Sequence, residues 1–208
     1  MIFTPEETKR IEARIAEVER GTSGEIVVCA VPASGSYAWT YWVWAALGLA
    51  LGTIGAGTWE FTQWNVSIWG VLEWQGGGLL AGVLVSLFGP ARRVLVSQSH
   101  RARKVHRSAL ASFLTQGMTE TDQRTGVLVY LSEWEHRVEV VADQGIHSKV
   151  ESGFWDEQVR LITQGIREGK AAEALEKAIA QMGTQLTRLF PAKDQKNELP
   201  NTIRTDLD

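Results

Sequence analysis

Residues 24–58 read GEIVVCAV, then PASGSY, then AWTYWVWAALGLALGTIGAGT, and these three pieces decide the fold. The first holds a near-continuous apolar, β-rich run over residues 25–31, which suits a strand buried on both faces. The third, residues 38–58, is 21 residues without a charge. As a helix it would span roughly 31 Å, enough to cross a hydrocarbon core. A strand that passes through a six-residue link into a membrane-length helix predicts a membrane element inserted into an α/β domain.

Working toward the C-terminus, a second apolar stretch runs over about residues 68–90. It contains Glu73, Gln75 and three glycines, so its dry part, residues 76–90, would cover only about 22 Å. That places Glu73 at headgroup level. Seven of the nine tryptophans fall in this region: Trp39, Trp42, Trp44, Trp59, Trp64, Trp69 and Trp74. Tryptophan prefers the membrane interface, with its ring half buried and its N–H wet. Both stretches carry glycines at GxxxG spacing, Gly48 with Gly52 and Gly78 with Gly82, which lets two helices approach closely.

Orientation follows from charge. Residues 91–107 hold six cations (Arg92, Arg93, Arg101, Arg103, Lys104, Arg107) and no acid, whereas the loop between the spans has neither Lys nor Arg. The positive-inside rule then puts both termini on the cytoplasmic side of a multi-pass protein. Contact with anionic lipid is an alternative use of the same run. The first 25 residues are charged and lack the apolar core of a cleavable signal peptide.

The flanking segments read as one split domain, residues 1–36 plus 91–190, around a hairpin insertion at 37–90, with a polar, loosely ordered tail at 191–208. Thr4-Pro5-Glu6-Glu7 opens a helix with Ile11, Ile15 and Val18 on one face and Gly21 as its stop. Residues 91–116 read as a single helix with Leu110, Phe113 and Leu114 apolar, stopped by Gly117. GVLVYL (126–131) is a second buried strand, and RVEVVA (137–142) alternates like an edge strand joined to it in a hairpin. Two helices follow, one with Phe154, Trp155, Val159, Ile162 and Ile166 on a face, the next with Ala171, Leu175, Ala178, Met182, Leu186 and Leu189. The first two strands, joined by a long crossover, fit a parallel pair. The sum is a small mixed-sheet α/β sandwich interrupted by a transmembrane helical hairpin.

Composition narrows function. The net charge of −3 argues against a nucleic-acid binder. One cysteine excludes an intramolecular disulfide, and Cys29, mid-strand, reads as an inert core residue. There is no GxSxG, HExxH, P-loop or GxGxxG, and His100, His106, His136 and His147 lack metal-ligand spacing. Strand geometry gives two candidate clusters. Glu25, Asp122, Arg124 and Asp143 gather at the strand starts, where carboxylates would hold Ca²⁺ or Mg²⁺ or act in acid–base chemistry. Arg124 would pair with phosphate or neutralise a neighbouring acid, and Gly145 reads as a tight turn after Asp143. At the carboxyl ends of the parallel strands lie Ser132, Glu133, Glu135 and His136, with Ser34 and Ser36 nearby, where ligands of open α/β sheets usually bind. Ordinary strand-end solvation with surface ion pairs explains either cluster equally well.

The order helix, GTSGEIVVCAV, crossover, RTGVLVYLSEWEHRVEVVADQGI and two helices resembles the TPM domain family. The strongest matches are Gly24-Glu25-Ile26-Val27-Val28, Thr125-Gly126-Val127-Leu128 and Arg137-Val138-Glu139-Val140, with Gly145 after them. The family includes a thylakoid-lumen protein reported as an acid phosphatase. Phe190-Pro191 and Asn197-Glu198-Leu199-Pro200 resemble a bacterial branch that carries an internal membrane hairpin and often accompanies LemA-type membrane proteins. The resemblance implies residence in the bacterial inner membrane, with partners among the bilayer, LemA-type or other membrane proteins, or further copies of the chain. Two functions stand: a non-enzymatic adaptor or assembly module on the cytoplasmic face, and a divalent-metal-assisted phosphatase near the membrane.

Overall fold

The computed structural model describes residues 3–63, 67–121, 124–147, 149–192 and 199–205. The chain forms two compact units, Met1–Gly35 with Ala102–Asp208, and Ser36–Arg101.

In the first unit, α1 (Pro5–Glu19) starts at a capping box. The Thr4 hydroxyl accepts from the Glu7 amide at 3.3 Å, and the Glu7 carboxylate accepts from the Thr4 amide at 2.8 Å. This reciprocal bonding satisfies two otherwise orphaned donors. The helix ends where Gly21 predicts, with Arg20 as C-cap and Gly21 just past it, although Gly21 does not take a positive φ. The sheet has the order β1-β2-β3. β1 (Glu25–Val31) is parallel to β2 (Gly126–Ser132) with Glu25 opposite Gly126. β3 (Arg137–Ala142) is antiparallel to β2 with Val127 opposite Ala142. This is the mixed sheet that the apolar runs predict.

The sheet is packed on both sides because β1 and β2 are apolar on both sides. Ile26, Val28, Val127, Val129 and Leu131 meet Ile11, Ile15, Ile162, Leu175, Ile179 and Met182 from α1, α7 (Phe154–Arg167) and α8 (Ala171–Leu189). Val27, Cys29, Leu128 and Tyr130 meet Val105, Ala109, Phe113 and Met118. A Cβ added at Gly183 would collide with Val18, so α8 lies on α1 at a distance only glycine allows.

Other expectations need correction, the first of them across the boundary between the two units. Residues 91–116 form two helices, α4 (Gly89–Leu95) and α5 (Gln98–Thr115). Val96 is extended, and the Ser97 hydroxyl accepts from the His100 amide at 3.2 Å, an N-cap that starts α5 afresh. The buried face of α5 is Val105, Ala109, Ser112 and Phe113, whereas Leu110 and Leu114 are exposed. The turn expected at Gly145 is a single turn of helix, α6 (Gln144–His147), with no positive φ at Gly145. The tail also differs from a loose end. Leu199 and Ile203 pack on opposite faces of the sheet, and Arg204 bridges to Cys29 of β1 in parallel.

The second unit contains α2 (Trp39–Gln63) and α3 (Ile68–Ser86), both long and apolar enough to cross a membrane by length and composition. α2 runs past residue 58, and α3 stops before residue 90. Gly48, Gly78 and Gly82 lie where the two helix backbones come closest. A Cβ on Gly48 would strike the Gly78 carbonyl oxygen, and one on Gly82 the Trp44 carbonyl oxygen. Gly52 reaches further along α3 as well. A Cβ on Gly52 would strike the Trp74 carbonyl oxygen and lie 3.1 Å from the Gln75 Cα, so it meets α3 one turn before Gly78. The reason is the antiparallel run of a tight hairpin, in which moving up α2 moves down α3. Gly52 still belongs to the seam, because a Cβ on Gly78 would come within 3.0 Å of the Gly52 Cα. The Gln75 amide donates to the Thr53 hydroxyl at 3.1 Å across the same seam. The GxxxG spacing therefore serves contact within the hairpin.

Candidate functional site

The strand-start cluster is only partly assembled. Glu25 opens β1 and Asp143 follows β3, both buried, on either side of Gly126. The Asp143 amide donates to the Gly126 carbonyl at 2.9 Å. Its Oδ1 accepts from the Gln144 amide at 2.6 Å at the start of α6. Arg124, left-handed at φ 54° and exposed, lies 3.8 Å from Asp143 Oδ2. A contact of that length on an exposed arginine contributes little stability. Asp122 lies outside the described residues. Among the described residues, no three His, Cys, Asp or Glu side chains converge into a set able to hold a metal.

Glu25 has a partner that sequence reasoning missed. Glu19, in the last turn of α1, accepts from the Ile26 amide at 2.8 Å and hydrogen-bonds Glu25 and Asn201. Burial first, with the nearby Glu25 charge adding to it, pushes Glu19 up to about 8. Glu19 therefore keeps its proton at neutral pH. The only available signal was the six-residue spacing across the α1–β1 turn, which does not by itself say that both side chains turn inward.

A pH dependence follows. The folded chain holds a Glu19 proton that the unfolded chain releases above the ordinary 4.5. The contribution is complete below that value and is lost as pH rises toward 8. Glu19→Gln keeps an acceptor for Ile26 and a donor for Glu25 without titrating. Its stability relative to the parent is expected to rise by about 1–3 kcal/mol between pH 5 and 9, discounted for partial exposure. Thermal unfolding across that range checks it, and a constant difference would contradict it.

The second cluster is divided between two faces. Ser132 and Glu135 point into a buried polar network. The Ser34 amide donates to Glu135 Oε1 at 2.9 Å, the Ser34 hydroxyl donates to Ser132 Oγ at 2.8 Å, and the Ser132 hydroxyl donates to Glu135 Oε2. Tyr130 adds its hydroxyl 3.4 Å from Ser34, and Ser108 of α5 donates to the Ser34 carbonyl at 2.9 Å. Burial pushes the Tyr130 phenol up, keeping it neutral. Ser34, Ser132 and Glu135 are 5%, 2% and 2% exposed, too enclosed for a serine hydroxyl to meet a substrate. This network ties the segment after β1 to the β2–β3 hairpin and to α5. Glu133 and His136 instead line a groove of about 300 Å³ with Glu7 and Arg137 on the other face. His136 has φ 51° at the hairpin's last loop position. Cys29 is fully buried with its thiol pushed up by burial, so it stays an unreactive thiol.

The hairpin presents the other candidate surface. Trp42, Leu51, Ile54, Phe61, Trp69 and Leu80 are each at least 60% exposed. Trp39, Trp59 and Trp74 are also exposed, and Trp44 is half buried with its indole N–H donating to the Ala91 carbonyl at 3.2 Å. Trp64 lies outside the described residues. Arg92 stacks over the Tyr41 ring at 4.5 Å.

Comparison with known proteins places this geometry. Residues 91–185 match the family model described as the TPM domain. No curated protein matches the chain significantly. The NMR structure of BA42 protein from the psychrophilic bacterium Bizionia argentinensis is similar at a TM-score of 0.60 and 22% identity, covering 98% of this chain and 95% of that one. At that identity the likeness is one of fold.

Proposed function

We propose, with the TPM domain of residues 91–185 as premise, that the chain is a membrane-anchored adaptor or assembly module. Its α/β unit works on the cytoplasmic face, and α2 and α3 form the anchor. The observation that carries this reading is the hairpin's outward apolar surface, followed directly by six cations without an acid. Exposed apolar area of that extent needs a cover, and lipid fits two helices of 25 and 19 residues. The cations mark the cytoplasmic flank. Other membrane proteins are the partner class.

The test runs on the detergent-purified chain and on native membranes. Phosphate release from an aryl phosphate is measured with and without Ca²⁺ or Mg²⁺, beside Asp143→Asn. Photo-crosslinking in membranes is run in parallel. The adaptor reading expects turnover no higher than the variant's background and crosslinks to other membrane proteins. Metal-dependent turnover lost in Asp143→Asn would overturn it in favour of a phosphatase.

A further inference from the structure

β1 is the outermost strand of the sheet, yet its sequence EIVVCAV is apolar and buried save for the half-buried Ala30. Edge strands of this kind pair with any extended chain that reaches them, and proteins usually cover or charge them. Here the cover is the chain's own tail. The Arg204 amide donates to the Val28 carbonyl at 3.0 Å, and the Ala30 amide donates to the Arg204 carbonyl at 2.8 Å. That is one bridged pair, against a seven-residue register between β1 and β2. Further anchoring comes from Ile203 in one core, Leu199 in the other, the Ile203 amide on Glu12 Oε1 at 3.0 Å and the hydrogen bond between Asn201 and Glu19.

We propose that the outer edge of β1 is a strand-docking site for an extended, cationic segment of a partner protein with an aliphatic anchor, and that residues 199–205 occupy it in cis. This rests on the adaptor reading for its biological partner, and its geometry stands apart from it. The site extends beyond the bridge. A groove of about 650 Å³ continues along the end of β1, with Phe3, Val31, Pro32 and Ile203 among its apolar walls. Glu12 and Glu133 on its rim, against the single cation Lys9, favour a cationic side chain on an incoming segment. An incoming strand would use the main-chain groups of Val28 and Ala30 for affinity and the Ile203 position for specificity, the mode known as β-augmentation. Ile203 and Thr205 of the tail line this groove themselves, so an incoming segment must replace their side chains as well as the bridge.

The test uses the full chain in detergent and a labelled synthetic peptide, LPNTIRT, the sequence of residues 199–205. A tethered segment competes at an effective concentration on the order of millimolar, so the parent should bind the peptide about tenfold or more weakly than a variant with a loosened tail. Ile203→Asp removes the apolar anchor. It is expected to bind the peptide, to lose hydrogen-exchange protection over residues 25–31, and to regain it when peptide is added. A control peptide with aspartate in place of isoleucine and arginine should not bind. Should Ile203→Asp fail to fold, Arg204→Pro removes the donor to Val28 while leaving the Ile203 anchor in place. Equal binding by parent and variant, no binding by either, or unchanged protection over 25–31 would overturn the proposal. Dimerisation of the variant without peptide binding would overturn it too, assigning the edge to a second copy. Loss of membrane crosslinks with peptide binding intact would count against the adaptor reading alone.

Discussion

Replacing Gly48 by leucine should open the helical hairpin, while the same change at Gly76 should leave it closed. A Cβ at Gly48 would collide with the Gly78 carbonyl oxygen and lie 2.9 Å from the Gly82 backbone, whereas one at Gly76 meets nothing within 4 Å. Backbone cannot rotate away as a side chain can, so α2 and α3 must separate along the seam. Overpacking of this type costs about 1–3 kcal/mol and more where backbone is the obstacle. The close approach also supplies the van der Waals contact that holds helices together in lipid, where no hydrophobic force acts between them. Disulfide crosslinking between Thr53→Cys and Gln75→Cys, in a Cys29→Ala background, reads the seam directly, since those two side chains touch at 3.1 Å. Adding Gly48→Leu is expected to abolish the crosslink and adding Gly76→Leu to preserve it. An undiminished crosslink with Gly48→Leu would contradict the packing described above.

Glu135→Ala should be the most damaging single change in the α/β unit. The carboxylate accepts from the Ser34 amide and the Ser132 hydroxyl in a region with almost no solvent. Removing it leaves two buried donors without that partner, at about 1–3 kcal/mol each. For a unit of this size each kilocalorie moves the melting temperature by about 2–4 °C, so a fall on the order of 10 °C is expected. Glu135→Gln keeps one acceptor and should lose less than half as much. Thermal unfolding of the three proteins side by side decides it. A shift within a degree or two for Glu135→Ala would mean that the network contributes little to holding the segment after β1.

The parts of this fold legible in the sequence were those written as periodic or continuous apolar patterns. EIVVCAV and GVLVYL announced strands buried on both faces, and RVEVVA announced the partner that completes the sheet. The helix faces of α7 and α8 were equally plain. What escaped were features set by single residues or by distance along the chain. The break before α5 rests on one serine, Ser97, acting as a cap inside a run that otherwise reads as one helix. The buried stripe of α5 avoided Leu110 and Leu114 because Val105, Ala109, Ser112 and Phe113 hold the correct helical spacing with smaller side chains. In the hairpin, spacing marked Gly48 and Gly52 as contact positions, but only the helix register shows that Gly52 meets Trp74 and Gln75 first. Ile203 and Leu199 stand alone among polar residues, without periodicity, and the tail's partners lie far off in sequence: Glu12 of α1 for Ile203, Cys29 of β1 for Arg204, and the core beneath α5 for Leu199. Much the same holds for the candidate clusters. Strand order brought Glu25 and Asp143 to one end of the sheet, but the side chain that Glu25 meets belongs to a helix terminus. Ser34, Ser132 and Glu135 do meet, as a buried brace.

The claim on which the functional reading turns is that α2 and α3 cross a membrane with the α/β unit on the cytoplasmic side. With Cys29 changed to alanine, single cysteines at Ser67, before α3, and at Lys170, between α7 and α8, report the two sides. In intact spheroplasts a membrane-impermeant maleimide should label Ser67→Cys at once and Lys170→Cys only after the membrane is broken. The reverse pattern, or equal labelling of both positions in intact cells, would contradict the account.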